Sequence, residues 1–227
     1  MDFNTGVPPE EILLQLSALN EQEFIAGMME KSLGVQRAKL LFDIVQGNFY
    51  VASPEKIDLL RFALKALLPE DYRALELANH LWSHSDLFKY DPPKNGQNIM
   101  KHGLAFAEVH SYAHLFGRLT VQCPFPDGVT RSVVFSNLDT GTDGGNLCCP
   151  LPKVQGMISV MSIGQFENEC FKFISARRLG RTNYIKVMSD AFKNVHMDNP
   201  SAKEEFVNGC AEIVKADLFS ALPEVSP

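Results

Sequence analysis

The sequence lacks a hydrophobic run long enough for a membrane-spanning helix, which requires roughly 20 apolar residues. Its first residues carry neither the basic cluster nor the apolar core of a secretory signal. The five cysteines are an odd number without the spacing of a disulfide framework, a pattern typical of free thiols in a reducing compartment. We therefore expect a cytoplasmic protein with no structural disulfides and no membrane contact.

An excess of positive charge is also missing. The net charge of −6 does not favour nonspecific binding of nucleic acid by the chain as a whole. The sequence contains no internal repeat, and no Gly-Lys-Ser/Thr follows its glycine-rich stretch, which excludes a P-loop. What remains is an ordinary globular composition, 45% hydrophobic and 21% charged, in 227 residues, a length sufficient to bury a core.

Residues 1–116 have the hydrophobic periodicity of helices, and they are acidic, with 10 basic and 15 acidic side chains. Asn20 and Glu23 predict an N-cap and its capping partner at the start of one helix. A second helix is predicted over residues 35–45, and the last of this segment over about residues 97–116.

The periodicity changes after this helical segment. Residues 117–163 predict a β-hairpin, a long glycine- and cysteine-rich loop and a short strand. Residues 164–227 predict helices again, the first with an apolar face made of Phe166, Cys170, Phe173 and Ile174. The predicted fold is α+β and predominantly α-helical, with two helical lobes flanking a small central β element in one compact unit.

Five of the six histidines lie between residues 80 and 114. Two pairs, His80 with His84 and His110 with His114, have the i,i+4 spacing that can supply half of a metal site on a helix. At 100° per residue, however, His80 and His84 fall on the polar side of their predicted helix. His102 falls at the centre of the apolar face of the next helix, whereas His110 and His114 fall beside that face.

Two adjacent cysteines, Cys148 and Cys149, lie in the loop over residues 139–149, where a thiolate nucleophile would be accessible. A cysteine hydrolase would take its base and its orienting carboxylate from the candidates His102, His110, Asp139 and Asp143. A zinc site would combine the two cysteines with His110 and His114, although adjacent cysteines lack the usual ligand spacing. In the alternative interpretation, the two cysteines are small apolar side chains with a packing role only. We expect no metal and no other cofactor.

The string Leu138-Asp139-Thr140-Gly141-Thr142-Asp143 resembles the catalytic turn of retroviral-type aspartic proteases, which also follows a hairpin. The resemblance covers about 25 residues, and it implies that Asp139 is a catalytic carboxylate in a symmetric dimer, because one chain supplies one member of the dyad. In the alternative interpretation, Asp139 accepts hydrogen bonds from backbone amides of a turn.

The strongest local charge lies in residues 172–193, which contain six basic side chains and one acidic side chain and have a net charge of +5. Arg177 and Arg178 fall in the last turn of a predicted helix, where cations complement the helix dipole. Helix capping does not account for the later residues of this stretch. Their basic side chains suit contacts with phosphates, and Tyr184 among them suits stacking on a base. The candidate polyanion-binding residues are Arg177, Arg178, Arg181, Tyr184, Lys186 and Lys193.

These observations favour a non-catalytic intracellular binding or assembly protein. It would associate with a protein partner or with itself, and its basic stretch would contact RNA or another polyanion, as in a nucleocapsid-like protein. Two alternatives stay open: a Cys/His-dependent or zinc-dependent hydrolase centred on residues 139–149, and an adaptor that binds proteins through a helical surface.

Overall fold

A computed structural model describes residues 14–51, 53–79, 83–84, 88–116, 118–122, 131–139, 156–167, 170–180, 199–201, 204–205 and 208. The chain divides into two compact units, Met1–Ala105 and Phe106–Pro227. This division differs from the predicted segments 1–116, 117–163 and 164–227. Both units contain helices and strands, so the fold is α+β.

Within its described residues, the first unit has helical residues at 14–17, five further helices and two short strands. The helices are α1 (Glu21–Glu30), α2 (Val35–Val45), α3 (Ser53–Leu67), α4 (Pro69–Asn79) and α5 (Pro92–His102), and the antiparallel strands are β1 (Ser83–His84) and β2 (Phe88–Tyr90).

Local sequence signals fix the first helices of this unit. The backbone N–H of Glu23 donates to Oδ1 of Asn20 at 2.9 Å, so Asn20 is the N-cap of α1 as predicted. Helix α2 has the predicted bounds. Its buried residues, Ala38, Leu41, Ile44 and Val45, recur at helical spacing and form one apolar face.

Helices α3 and α5 are in close contact at a glycine. A Cβ atom on Gly96 would collide with the backbone carbonyl oxygen of Asp58 and would lie 2.9 Å from Cβ of Phe62. Leu59 and Ile99, one from each helix, are fully buried in the core of this unit. The absence of a side chain at Gly96 therefore sets the distance between the two helices.

The single helix predicted over about residues 97–116 is wrong: the structure has two helices here, α5 and α6 (Phe106–Phe116). Gly103 follows α5 with φ 73°, a left-handed conformation that ends a helix and that glycine adopts without a Cβ clash. The side-chain amide of Asn98 donates to the carbonyl of Leu104 at 2.7 Å and holds the chain after the break.

The second unit includes α6 and four strands: β3 (Arg118–Gln122), β4 (Ser132–Asp139), β5 (Met157–Glu167) and β6 (Cys170–Leu179). The strands lie side by side in the order β6-β5-β4-β3, and all neighbours are antiparallel. The β3–β4 pairing confirms the predicted hairpin, and β5 confirms and extends the predicted short strand.

The helix predicted to begin at residue 164 is wrong, because this segment forms the end of β5 and the whole of β6. Between Ile163 and Gly164 the register with β6 shifts, and the buried residues of β6 are Phe171, Phe173 and Ala176. A bulge thus replaces strict alternation by steps of two and three residues, which imitates the helical period. Further along, residues 200–201, 204–205 and 208 are helical.

Candidate functional site

One face of the sheet in the second unit carries serines among apolar side chains. The register pairs Val134 with Ser162 and Ser136 with Val160. Since side chains of paired residues lie on the same face of a sheet, these four residues share one face. Three of them are almost inaccessible, and Val134 is 9% exposed.

Helix α6 packs on this face of the sheet. The ring of Phe106 stacks on that of Phe173 in β6, with centroids 5.1 Å apart and planes 13° apart. One turn later, Val109 and His110 face a cavity whose opposite wall includes Val134. The sequence positions 106, 109 and 110 therefore form the sheet-facing side of α6.

Aromatic rings line the side of the cavity next to β6. The ring of Phe171 lies against Gly164, where a Cβ atom would collide with the end of that ring. The centroid of the Phe171 ring lies 4.8 Å from that of Phe173 and 5.1 Å from that of Phe166, and both pairs of rings are edge to face. Phe166 is 51% exposed, so this row of rings runs from the protein surface to the buried Phe106.

The cavity between helix and sheet has a volume of about 20 Å³, and its polar lining comes from His110, Ser136 and Ser162. The hydroxyl groups of both serines are buried and have no hydrogen-bond partner within the described part of the chain. Neither hydroxyl is therefore bonded to the His110 imidazole, and the geometry is not that of a serine nucleophile with its base. The arrangement can instead hold a small hydrogen-bonding group.

Sequence reasoning identified His110 and missed the two serines. Each serine lies two residues from a buried apolar residue on the same strand face, Val134 for Ser136 and Val160 for Ser162. A polar residue at an inward position of an apolar strand is the signal that could have identified them.

The predicted burial of His102 is wrong. This residue lies half-buried in the last turn of α5, where it lines a groove of about 580 Å³ together with Lys101 and Arg37. The helix breaks at Gly103, so the apolar face calculated through residue 116 does not continue across His102. In the same groove, Nη1 of Arg37 donates to the carbonyl oxygens of Met100 (3.0 Å) and Lys101, and thereby caps α5.

The two i,i+4 histidine pairs differ in the structure. His84 lies in strand β1, so helical spacing does not relate it to His80, which lies outside the described residues. His110 and His114 both lie in α6, where the i,i+4 relation holds. In the described ranges, no group of three or more histidine, cysteine, aspartate or glutamate side chains could hold a metal ion.

The candidate hydrolase residues are not brought together by the described part of the structure. Asp139 is the last residue of β4, and Asp143, Cys148 and Cys149 lie outside the described residues. The cysteine-hydrolase, zinc-site and aspartic-protease interpretations therefore stay predictions.

The basic stretch begins on β6. Lys172 pairs with Glu167 at 3.2 Å. Arg177 and Arg178 are exposed near the end of the strand. Because they are consecutive strand residues, their side chains leave opposite faces of the sheet. The predicted placement in the last turn of a helix is wrong, so compensation of a helix dipole does not account for them. The other candidates, Arg181, Tyr184, Lys186 and Lys193, lie outside the described residues.

Comparison with known proteins gives no family and no relative for this chain. In the described segments, none of the helices is both long enough and apolar enough to cross a membrane. No protein-family model, no curated protein and no solved structure gives a significant match.

Proposed function

We propose that this chain is a non-catalytic binding protein that contacts RNA through residues 172–193. The observation that carries the proposal is the exposure of Arg177 and Arg178 at the end of β6, where neither serves a helix terminus. Exposed guanidinium groups suit phosphate oxygens because their planar donors can engage two oxygens at once.

The sequence beyond β6 extends this cationic region. Arg181, Lys186 and Lys193 follow within 15 residues of Arg178, and Asp190 is the single acidic residue between positions 172 and 193. Salt screens charges that lie more than a Debye length of about 8–10 Å apart. The attraction between this segment and RNA therefore depends on the local charge, and distant acidic residues that contribute to the net charge of −6 do not oppose it.

Single-stranded RNA fits this region better than a rigid duplex. The two arginines leave opposite faces of the strand, so a flexible backbone that passes around the strand end can reach both. Tyr184, which follows them in the sequence, offers an aromatic ring for base stacking.

The test is fluorescence anisotropy of a labelled single-stranded RNA over a range of salt concentrations, with the full chain and its Arg177→Glu/Arg178→Glu variant. Each lost phosphate contact reduces the slope of log K against log salt by about 0.7, so the double variant should lose about 1.4 in slope and bind more weakly. The matched control is Lys39→Glu/Arg73→Glu, which makes the same charge change at exposed residues of the first unit.

Unchanged affinity in the Arg177→Glu/Arg178→Glu variant would refute the proposal. Equal weakening by both double variants would also refute it, because it would show dependence on total charge alone. Light scattering with and without the RNA measures whether binding drives the self-association expected of a nucleocapsid-like protein.

A further inference from the structure

We propose that the cavity beneath α6 is a binding site for one ordered water molecule, which bridges the hydroxyl groups of Ser136 and Ser162. This inference concerns the second unit alone and is independent of RNA binding. It starts from the two hydroxyl groups, each in a residue 1% exposed, which have no hydrogen-bond partner within the described residues.

Buried hydroxyl groups in folded proteins have partners, because a group removed from water without a replacement loses the free energy of its hydrogen bonds. On a strand, the backbone groups beside each serine are already engaged in the ladder with the neighbouring strands. The missing partner of Ser136 and Ser162 must therefore come from outside the described side chains and backbone.

The register places the two hydroxyl groups within reach of a single molecule. Ser162 pairs with Val134, and Ser136 is the next residue of β4 on the same face, so the two serines are diagonal neighbours. Diagonal neighbours have Cα atoms about 7–8 Å apart and Cβ atoms somewhat closer. A water oxygen bonded to both hydroxyls at about 2.8 Å each spans the separation that remains once the two Oγ atoms turn toward each other.

The size of the cavity selects water over a larger ligand. A water molecule needs about 10–15 Å³ of space for its centre and two or more polar partners. The cavity provides about 20 Å³, with the two serines and His110 as its polar lining. Its remaining walls include Phe171 and Phe173, which offer no hydrogen-bonding side chain.

The bridging water would join two strands at a point where no described side chain does so. The opposite face of the same strands shows the direct alternative, since the hydroxyl of Ser159 donates to Oδ1 of Asn137 at 3.4 Å across β4 and β5. One face thus joins the strands by a side-chain pair, and the face beneath α6 joins them through water.

The experiment detects the water directly in the unsubstituted chain, by nuclear Overhauser effects between water and the methyl groups of Val134, and in a high-resolution crystal structure. We expect a long-lived water signal and one density peak within hydrogen-bond distance of both serine Oγ atoms. Both should disappear in Ser136→Ala/Ser162→Ala. The control Ser159→Ala removes a buried hydroxyl of the same strand from the other face and should leave the signal unchanged.

An empty cavity in the crystal structure of the unsubstituted chain would overturn the proposal, as would a water signal that persists in the double alanine variant. If that variant does not fold, the unsubstituted chain still decides the question. Displacement of the signal by ethanol at low concentration would also contradict it, because the site would then accept a ligand larger than one water.

Discussion

Replacing Asp58 by asparagine should remove a large part of the pH dependence of this protein's stability. Asp58 lies in α3 and is 4% exposed, and Nδ2 of Asn95 in α5 donates to its Oδ2 at 2.8 Å. Burial raises the pKa of this carboxyl group from 3.8 to about 7, with smaller upward contributions from Glu55 and Asp91. The hydrogen bond from Asn95 and the charge of Arg61 act in the opposite direction.

The direction of the effect follows from linkage. A group whose pKa is higher in the folded state than in the unfolded state holds its proton more tightly in the fold. Its contribution to stability is complete below about pH 4 and is lost as the pH rises through about 7. The difference between 3.8 and about 7 corresponds to about 4 kcal/mol of unfolding free energy.

The assay is urea denaturation followed by circular dichroism, at pH values from 4 to 8.5, for the unsubstituted chain and Asp58→Asn. The unfolding free energy of the variant minus that of the unsubstituted chain should rise by up to about 4 kcal/mol across this range. A changed hydrogen bond to Asn95 adds an offset that does not vary with pH.

The matched control is Asp71→Asn, the same chemical change at an exposed residue of α4, which should change the unfolding free energy by less than about 1 kcal/mol. A flat difference for Asp58→Asn, or one that falls as the pH rises, would show that the buried carboxyl group is ionised in the fold and would refute the reasoning.

Two further predictions concern the packing of the first unit. Gly96→Ala should lower the unfolding free energy by about 1–3 kcal/mol or more in the same urea assay, because the new methyl group meets the backbone carbonyl of Asp58; an unchanged midpoint would show that α3 and α5 can separate freely. Arg37→Met should cost about 1–3 kcal/mol, since methionine cannot donate the two hydrogen bonds that cap α5. Arg73→Met, at an exposed i,i+3 pair, should cost less than about 0.5 kcal/mol, and equal losses at both arginines would contradict the capping role.

The parts of the fold that sequence predicted are those with local causes. The side chain of Asn20 caps α1 through a residue three positions away, and α2 presents one apolar face over 11 residues. The β3–β4 hairpin also depends on neighbouring strands with clear alternation. Each of these signals is complete within one short continuous segment of the chain, so no knowledge of distant contacts is needed.

The errors arose where distant contacts decide the structure. In β6, a bulge spaces the buried residues in a way that imitates a helix, and only pairing with β5 makes the segment a strand. The break at Gly103 caused the error in the predicted burial of His102, because the angular positions calculated for one continuous helix do not apply across α5 and α6. His102, in α5, lines a groove, whereas His110, in α6, lines the cavity between that helix and the sheet.

By itself, the sequence determined the composition class, the first helices, the hairpin and the basic stretch, because charge and short-range periodicity are local properties. Only the tertiary structure decided that Ser136 and Ser162 share a cavity with His110, and that Arg177 and Arg178 lie on a strand. Strand register and helix docking bring together residues that are far apart in the chain, and they are set by side chains packing against one another across the whole unit.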